Sequence, residues 1–490
     1  MVTTDGTLLS FICLIYSFLI VSLLKKKAKL RPDIKHPPSP PAVPFIGHLH
    51  HLSPVIHKSF HRLAQQFGPL IRLRIGASSC VVASSAVVAK EIMKTHESLF
   101  TSRPKFGTPN YDIYDGYSFI TVEYGHYWRF MKKLCMTQLL SSLQLDRFIH
   151  VRREETRKLL KSLVKSSKEG VAVDLGAELM RMLNNVICRM VMRARCSDSN
   201  NEAEECRKFG HGGFRTCWEI KKIVKLMKRF DKLVEEVMEE HEKKMKDGVR
   251  DAKDMMDVLL DIHHDQNSET KGIKNFIFEM FIAGTETSST ALQWAIAELI
   301  NNPIVLRKLR EEIKSSVGTS RIVQESDVPN LPYLQAIVKE TLRLHTPAPL
   351  ILRRCSEDCK INGFDVPKDT RVLINAYSVM RDPLHWKEPD MFTPERFQRD
   401  AEENIGQHQM DMKGLHLHYI PFGSGKRGCP GASLALTAIH GTLATLAQCF
   451  DFQVDNEGID RTIDMEEGTR FTAAMKKPLI CYPILRFRPL

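Results

Sequence analysis

The sequence predicts a mainly helical α+β domain carried behind an amino-terminal transmembrane helix. Three observations predict it. Helical periodicity dominates, with long runs at 219–246, 273–299 and 331–345. Strand-like runs are few and are scattered among the helices of one chain. Residues 8–24, LLSFICLIYSFLIVSLL, form a run without a charge. The 490 residues, 43% hydrophobic and without low-complexity bias, suffice to bury a large core.

The uncharged run would span ~26 Å as a helix, slightly less than a hydrocarbon core of ~30 Å. Lys25, Lys26, Lys27 and Lys29 follow it and can snorkel to complete the span. A removable signal peptide would carry cations before the run and small residues after it. MVTTDG has no cation and LLKKK offers no cleavage site. Residues 1–24 therefore read as a signal anchor, with everything after Lys25 in the cytosol by the positive-inside rule. Residues 25–50 read as a basic and proline-rich hinge. HPPSPPAVPFIGHL (36–49) is too dense in proline for helix and ends in apolar residues suited to docking.

Residues 51–490 form the body, in which no internal repeat is visible. PLIRLRIGASSCVVAS (69–84) reads as a hairpin around Gly76. GHYWRFMKKL (125–134) places Trp128 and Lys132 on one helix face, which alone suits a packing tryptophan beside a solvated lysine. The apolar helix at 273–299 contains AGTETSS (283–289). There Gly284 costs about 1 kcal/mol against alanine, and four hydroxyls compete with helix hydrogen bonds. Those hydroxyls can simply bond back to carbonyls, with Glu286 paired to a neighbour. Their clustering with a glycine and an acid at mid-helix, without local gain, favours a functional role. In LPYLQAIVKETLRLH (331–345), Glu340 and Arg343 share a face and can pair, either on the surface or partly buried with Arg396 of FTPERF. Further strands are expected at Leu350–Arg354, Arg371–Tyr377, and as a closing pair at 471–474 and 479–487.

PFGSGKRGCPG (421–431) is poor helix and poor strand, since its glycines lose much backbone entropy in either. It suits a loop whose backbone approaches something closely. Twelve cysteines stand at irregular spacings, so a disulfide framework is not expected. Cys355 and Cys359 lack a second ligand pair and read as structural, not as zinc ligands. The +12 charge and pI of about 9.0 suit an anionic membrane or an acidic partner. A nucleic-acid binder would rest on that charge alone, since no such motif is present.

Together these stretches resemble the cytochrome P450 superfamily over the whole body. PFGSGKRGCPG is similar to its haem-binding pattern at Phe422, Gly425, Arg427, Cys429 and Gly431. ETLR and PERF match its Glu340, Arg343 and Arg396 triad, and AGTETS its oxygen-activation motif. The hinge and RDPLHWKEPDMFTPERF resemble plant microsomal members, nearest the flavonoid, isoflavonoid and triterpenoid oxidases. The resemblance implies the cytochrome P450 fold with a small β-sheet region, and haem b as cofactor with Cys429 as axial ligand. It implies that Arg427, Trp128, Lys132 and Arg354 bind the haem propionates, and that Glu340, Arg343 and Arg396 hold the fold. Thr287, helped by Glu286, would hold water and deliver protons during oxygen activation. Lys132 stands where many relatives have arginine and loses the bidentate fork.

The implied activity is a monooxygenase of the endoplasmic reticulum membrane that oxidises a small apolar substrate with O2. Electrons would come from NADPH–cytochrome P450 reductase, docked opposite Lys132, Lys133 and Lys426. Between EAEECRKF (202–209) and FDKLVEEVMEEHEKK (230–244) only GHGGFRTCWEIKKIVKLMKR intervenes. Close relatives carry roughly twenty more residues in this lid segment, a length difference that loops tolerate. Two rivals follow: a haem-loaded but inactive or misfolded chain, and a peroxide-rearranging member, against which the acid–alcohol pair argues.

Overall fold

The computed structural model describes residues 14–18, 34–76, 78–104, 118–193, 195, 217–247, 254–266, 270–398, 417–454, 462–469 and 472–487. Its first half carries α1 (Ile56–Phe67), β1 (Leu70–Ile75), β2 (Ser78–Ala83), α2 (His126–Leu134), α3 (Ile149–Glu169), β3 (Val173–Asp174) and α4 (Leu175–Met192). Then come α5 (Cys217–Lys246), α6 (Met255–Gln266), α7 (Thr270–Asn301), α8 (Pro303–Val317) and α9 (Pro332–Leu344). The last part holds β4 (Leu350–Arg354), β5 (Arg371–Asn375), α10 (Ala432–Cys449), β6 (Phe450–Gln453) and β7 (Ile480–Leu485).

Helix α7 forms the axis of the molecule, packed along α4 and α10 and touching α8 and α9. Its second half is buried on nearly every side, and Leu292, Trp294, Ala295 and Ala297 are fully buried. That is how a helix without a solvent face is built. Helix α9 begins at Pro332, whose fixed φ suits a first turn, and ends before Pro347.

One sheet has the order β1-β2-β5-β4, with β2 and β5 parallel and the other pairs antiparallel. Gly76, at φ +58°, turns the expected hairpin. The proline-rich hinge runs along the edge of β1. Arg72 N donates to Pro38 O at 2.8 Å and His48 N to Arg74 O at 2.7 Å. Gly47 lies so close to β1 that a Cβ there would stand 2.2 Å from Arg74 O.

Two expectations about strands are corrected. β5 stops at Asn375, where the chain turns into the short helix Ala376–Val379. Residues 472–474 do not pair with 479–487. Ala473 N donates instead to Pro347 O and Ala474 N to Thr472 O, which turns the chain there. β7 pairs with β6 and β3, so the closing strand joins distant parts of the chain. Of the expected transmembrane run, only residues 14–18 are described; they are helical and exposed, and the rest of 8–24 lies outside the described residues. Among the described residues no helix is long and apolar enough to cross a membrane.

Of the lid segment, 210–216 lies outside the described residues and the remainder begins α5. Beyond it Phe230, Val234 and Met238 recur at helical spacing and are buried. Phe230 meets Phe278 and Phe281 of α7 edge to face. Seven described cysteines are free thiols and Cys188 is disulfide-bonded. Cys355 and Cys359 lie with sulfurs 3.5 Å apart, and the Cys355 thiol donates to Glu357 O.

Candidate functional site

The loop 421–431 is shaped by its backbone. Gly423 and Gly425 adopt φ of +71° and +69°, in the left-handed region that favours glycine. At Gly425 a Cβ would also stand 2.2 Å from Glu97 Oε1. Lys426 N donates to that same oxygen at 2.5 Å. Gly428 N donates to Gly425 O, and Cys429 N to Phe422 O, each at 2.9 Å. The Phe422 ring packs on the main core, so the loop is pinned at its base. At Gly431 a Cβ would sit at ordinary contact, 3.9 Å from Cys429 Sγ. Protein atoms alone do not demand glycine there.

The loop runs directly into α10, and the Gly431 and Ala432 N–H groups point at the Cys429 sulfur. A helix N-terminus of this kind stabilises a thiolate. Burial nevertheless leads and holds the thiol pKa above its ordinary value, with Lys132 and Arg103 among the groups opposing it. As a residue Cys429 is exposed, although protein crowds around its thiol. Its exposed area reflects direct contact with solvent, whereas its acidity responds to the protein crowded around it. For the chemistry of the thiol, the enclosure matters more.

Cations gather around this loop. Arg427 is buried, donates through Nε to Thr101 O at 2.8 Å and through Nη2 to Val122 O at 2.5 Å. Its guanidinium stands 4.4 Å from the Trp128 ring, which stacks flat on Phe119. Burial and repulsion from Arg103 push the Arg427 pKa down to about 10. Arg353, also buried, is pushed down to about 9 by burial, then by Arg103 and Arg427. Arg427 Nη1 and Arg103 Nε are buried without a hydrogen-bond partner among the described residues. A buried cluster of mutually repelling guanidinium groups with unpartnered donors calls for an anion.

Two of the residues expected at the propionates have protein partners in the structure. Arg354 donates to Glu123 Oε1 at 2.7 Å and lies 3.5 Å from Asp369. Neighbours in a strand point to opposite faces, and it is Arg353 that joins the cluster. Lys132 donates to Gly428 O at 2.5 Å, so it braces the loop one residue before the cysteine. Of the three cations expected at a reductase face, Lys133 and Lys426 are exposed and Lys132 is half-buried.

On α7, Ala283 is exposed and Thr287 half-buried one turn later, so the described residues leave this helix face partly uncovered. The Thr287 hydroxyl donates to Ala283 O at 2.5 Å. Glu286 Oε1 accepts from the Thr472 hydroxyl at 2.6 Å. Gly284 faces α4, where a Cβ would come within 3.1 Å of Ile187. Two turns before Thr287's own turn, buried Glu279 accepts from Ser118 Oγ and from Phe119 N, which fixes the loop leading to Trp128.

Glu340, Arg343 and Arg396 meet as one network. Arg343 is bidentate to Glu340 at 2.7 and 2.9 Å, and Arg396 Nε reaches Glu340 Oε1 at 2.9 Å. Met380, Pro389 and Met391 carbonyls accept the remaining Arg343 N–H groups. Glu340 and Arg343 are wholly buried, more than a partly buried pair. Sequence reasoning missed Arg103, Arg353, Glu97, Glu279 and Thr472. Only Arg353 had a signal, as the neighbour of the arginine chosen.

A cysteine at a helix N-terminus beneath a buried cationic cluster defines the class as haem–thiolate proteins. The family model for Cytochrome P450 matches residues 37–482. A 3,9-dihydroxypterocarpan 6A-monooxygenase of Glycine max is 43% identical over 98% of both chains. Beta-amyrin 24-hydroxylase of Glycine max is 39% identical, again over 98% of each. Cytochrome P450 705A12 of Arabidopsis thaliana is 39% identical over 98% of this chain and 96% of its own. The chain belongs to the cytochrome P450 family, and among its relatives are plant oxidases of pterocarpan and triterpenoid type.

It is thus a cytochrome P450 monooxygenase that uses haem b, O2 and a redox partner. The residues present fit the haem: Cys429 offers sulfur, and the unpartnered Arg427 and Arg103 donors suit two carboxylates. The first of these alignments runs to 509 positions against 490 residues here, so the relative carries residues for which this chain has none.

Proposed function

We propose that this chain is a membrane-anchored monooxygenase that inserts one oxygen atom into a small apolar plant metabolite of the pterocarpan or triterpenoid kind. The observation that carries the reading is the Cys429 loop beneath the Arg103, Arg353 and Arg427 cluster. When bound, a thiolate-ligated haem supplies O–O cleavage. The chain's own residues do the rest. Cys429 presents sulfur at the start of α10, and Gly425 lets the loop fold against Glu97. Arg103, Arg353 and Arg427 supply charge for the propionates, and Lys132 and Trp128 brace the loop and Arg427. Thr287 and Glu286 hold and move protons on α7.

The substrate class rests on the relatives named above. Burial of Phe230, Val234 and Met238 supports an α5 that packs on the body directly after the short lid segment. Residues 1–24 serve as signal anchor in the endoplasmic reticulum membrane, with 25–50 as hinge and the body from 51 in the cytosol. The apolar run followed by lysines supports this. NADPH–cytochrome P450 reductase is the proposed donor, with Lys133 and Lys426 opposite its acidic face.

The test is the carbon monoxide difference spectrum of the reduced protein, followed by turnover of pterocarpans and triterpenes with reductase. A strongly red-shifted Soret band, abolished in Cys429→Ala, is expected. No haem uptake, or turnover surviving in Cys429→Ala, would overturn the reading. Membrane association should vanish on deleting residues 1–30.

A further inference from the structure

Thr472, which no motif marks, reaches across the fold to Glu286. Its hydroxyl donates to Glu286 Oε1 at 2.6 Å, between positions 186 apart in sequence. Thr472 is buried, and its turn is tied down on both sides. Ala473 N donates to Pro347 O, and Trp294 Nε1 donates to Ala473 O at 2.6 Å. Trp294 lies just over two turns beyond Glu286 on α7. The helix that carries the carboxylate therefore also fixes the turn that carries its donor.

Hydroxyl-to-carboxylate bonds are charge-assisted, and donation to the ionised form favours that form. Glu286 and Thr287 are adjacent, hence about 100° apart around the helix. The Thr287 hydroxyl is turned to Ala283 O. The contact from Thr472 gives the Glu286 carboxylate a fixed donor on its Oε1.

We propose that Thr472 is a positioning residue for proton delivery, holding the Glu286 carboxylate in one orientation. This rests on the reading of Glu286 and Thr287 as the proton-handling pair. It explains why a carboxylate in a mostly apolar helix has a fixed place, and why a turn far along the chain is anchored to that helix.

The test uses the full-length, haem-loaded protein. Infrared difference spectra first assign the Glu286 carboxylate band by its loss in Glu286→Gln. In Thr472→Val the band should shift, and in Thr472→Ser it should return, with the Soret spectrum unchanged in both. With reductase, NADPH and no added substrate, the ratio of peroxide to water formed from O2 should rise about fivefold in Thr472→Val. That is the factor carried by one hydrogen bond of ordinary strength. Thr472→Ser should stay at the wild-type ratio. If Thr472→Val does not fold, Thr472→Ala removes the hydroxyl with less bulk and is read the same way.

A wild-type band and ratio in the hydroxyl-less variant would overturn the proposal, as would failure of serine to restore them. An unchanged peroxide ratio in Glu286→Gln would instead sink the proton-pair reading. The infrared shift would still report the Thr472 contact.

Discussion

At the scale of single residues, Arg353 and Arg354 are neighbours in β4 with opposite surroundings. One is buried in a cluster of guanidinium groups, and the other is balanced by Glu123 and Asp369 near the surface. Arg353→Ala should therefore weaken haem retention about tenfold or more, the worth of a charge-assisted hydrogen bond, while Arg354→Ala should change it little. Competition for haem by apomyoglobin checks both. Equal losses would return the propionate role to Arg354. Gly425 is constrained twice, by its positive φ and by Glu97 Oε1. Gly425→Ala should cost about 2 kcal/mol or more and reduce haem uptake, read as a lower thermal midpoint of the holoprotein. Gly431→Ala should be milder in the apoprotein, since its Cβ meets only ordinary contact.

At the scale of elements, α5 is clipped to the body by a polar cluster at its end. His241 Nε2 pairs with buried Asp254 at 2.9 Å, and Arg193 at the end of α4 pairs with both Asp254 and Asp257. Asp254 and Asp257 also cap α6 reciprocally. The spacing of His241, Asp254 and Asp257 would suit a metal ion, but the Arg193 guanidinium already supplies the positive charge. The hydrogen bond that His241 donates to Asp254 raises the His241 pKa above its ordinary value. A base raised in the folded state stabilises it fully below the unfolded pKa of about 6.5. That contribution is lost as pH rises through the higher folded value. Hydrogen exchange in α5 and α6 should therefore accelerate as pH rises from about 6.5 through the raised value, beyond the intrinsic chemical trend. His241→Gln should abolish that excess. An excess that persists in the variant would place the titration elsewhere.

At the scale of the whole molecule, the Glu340 network joins α9 to the segment 380–397 that precedes the haem loop. Both Glu340 and Arg343 are fully buried, and three backbone carbonyls complete the arginine's shell. Removing one partner strands buried charge on the other. Glu340→Gln should thus cost about 3–5 kcal/mol, seen as a lower denaturant midpoint with haem released in the same transition. A loss below about 1 kcal/mol would mean that the carbonyls suffice. The anchor, the helices α2, α5, α7 and α9 and the hairpin were legible in the sequence as expectations, because each is a local pattern of period or composition. The described residues carry those helices and the hairpin, and leave most of the anchor outside. Cys429, Gly425 and the Glu340–Arg343 spacing were legible for the same reason: each is a short-range constraint on one loop or one helix face. The tertiary structure alone decided that Arg353 and not Arg354 enters the cluster, that Lys132 bonds to Gly428, that β7 pairs with β6 and β3, and that Thr472 holds Glu286. Those partners lie up to hundreds of residues away along the chain. A strand's choice of face, and a hydroxyl's choice of carboxylate, are fixed only once the core has brought them together.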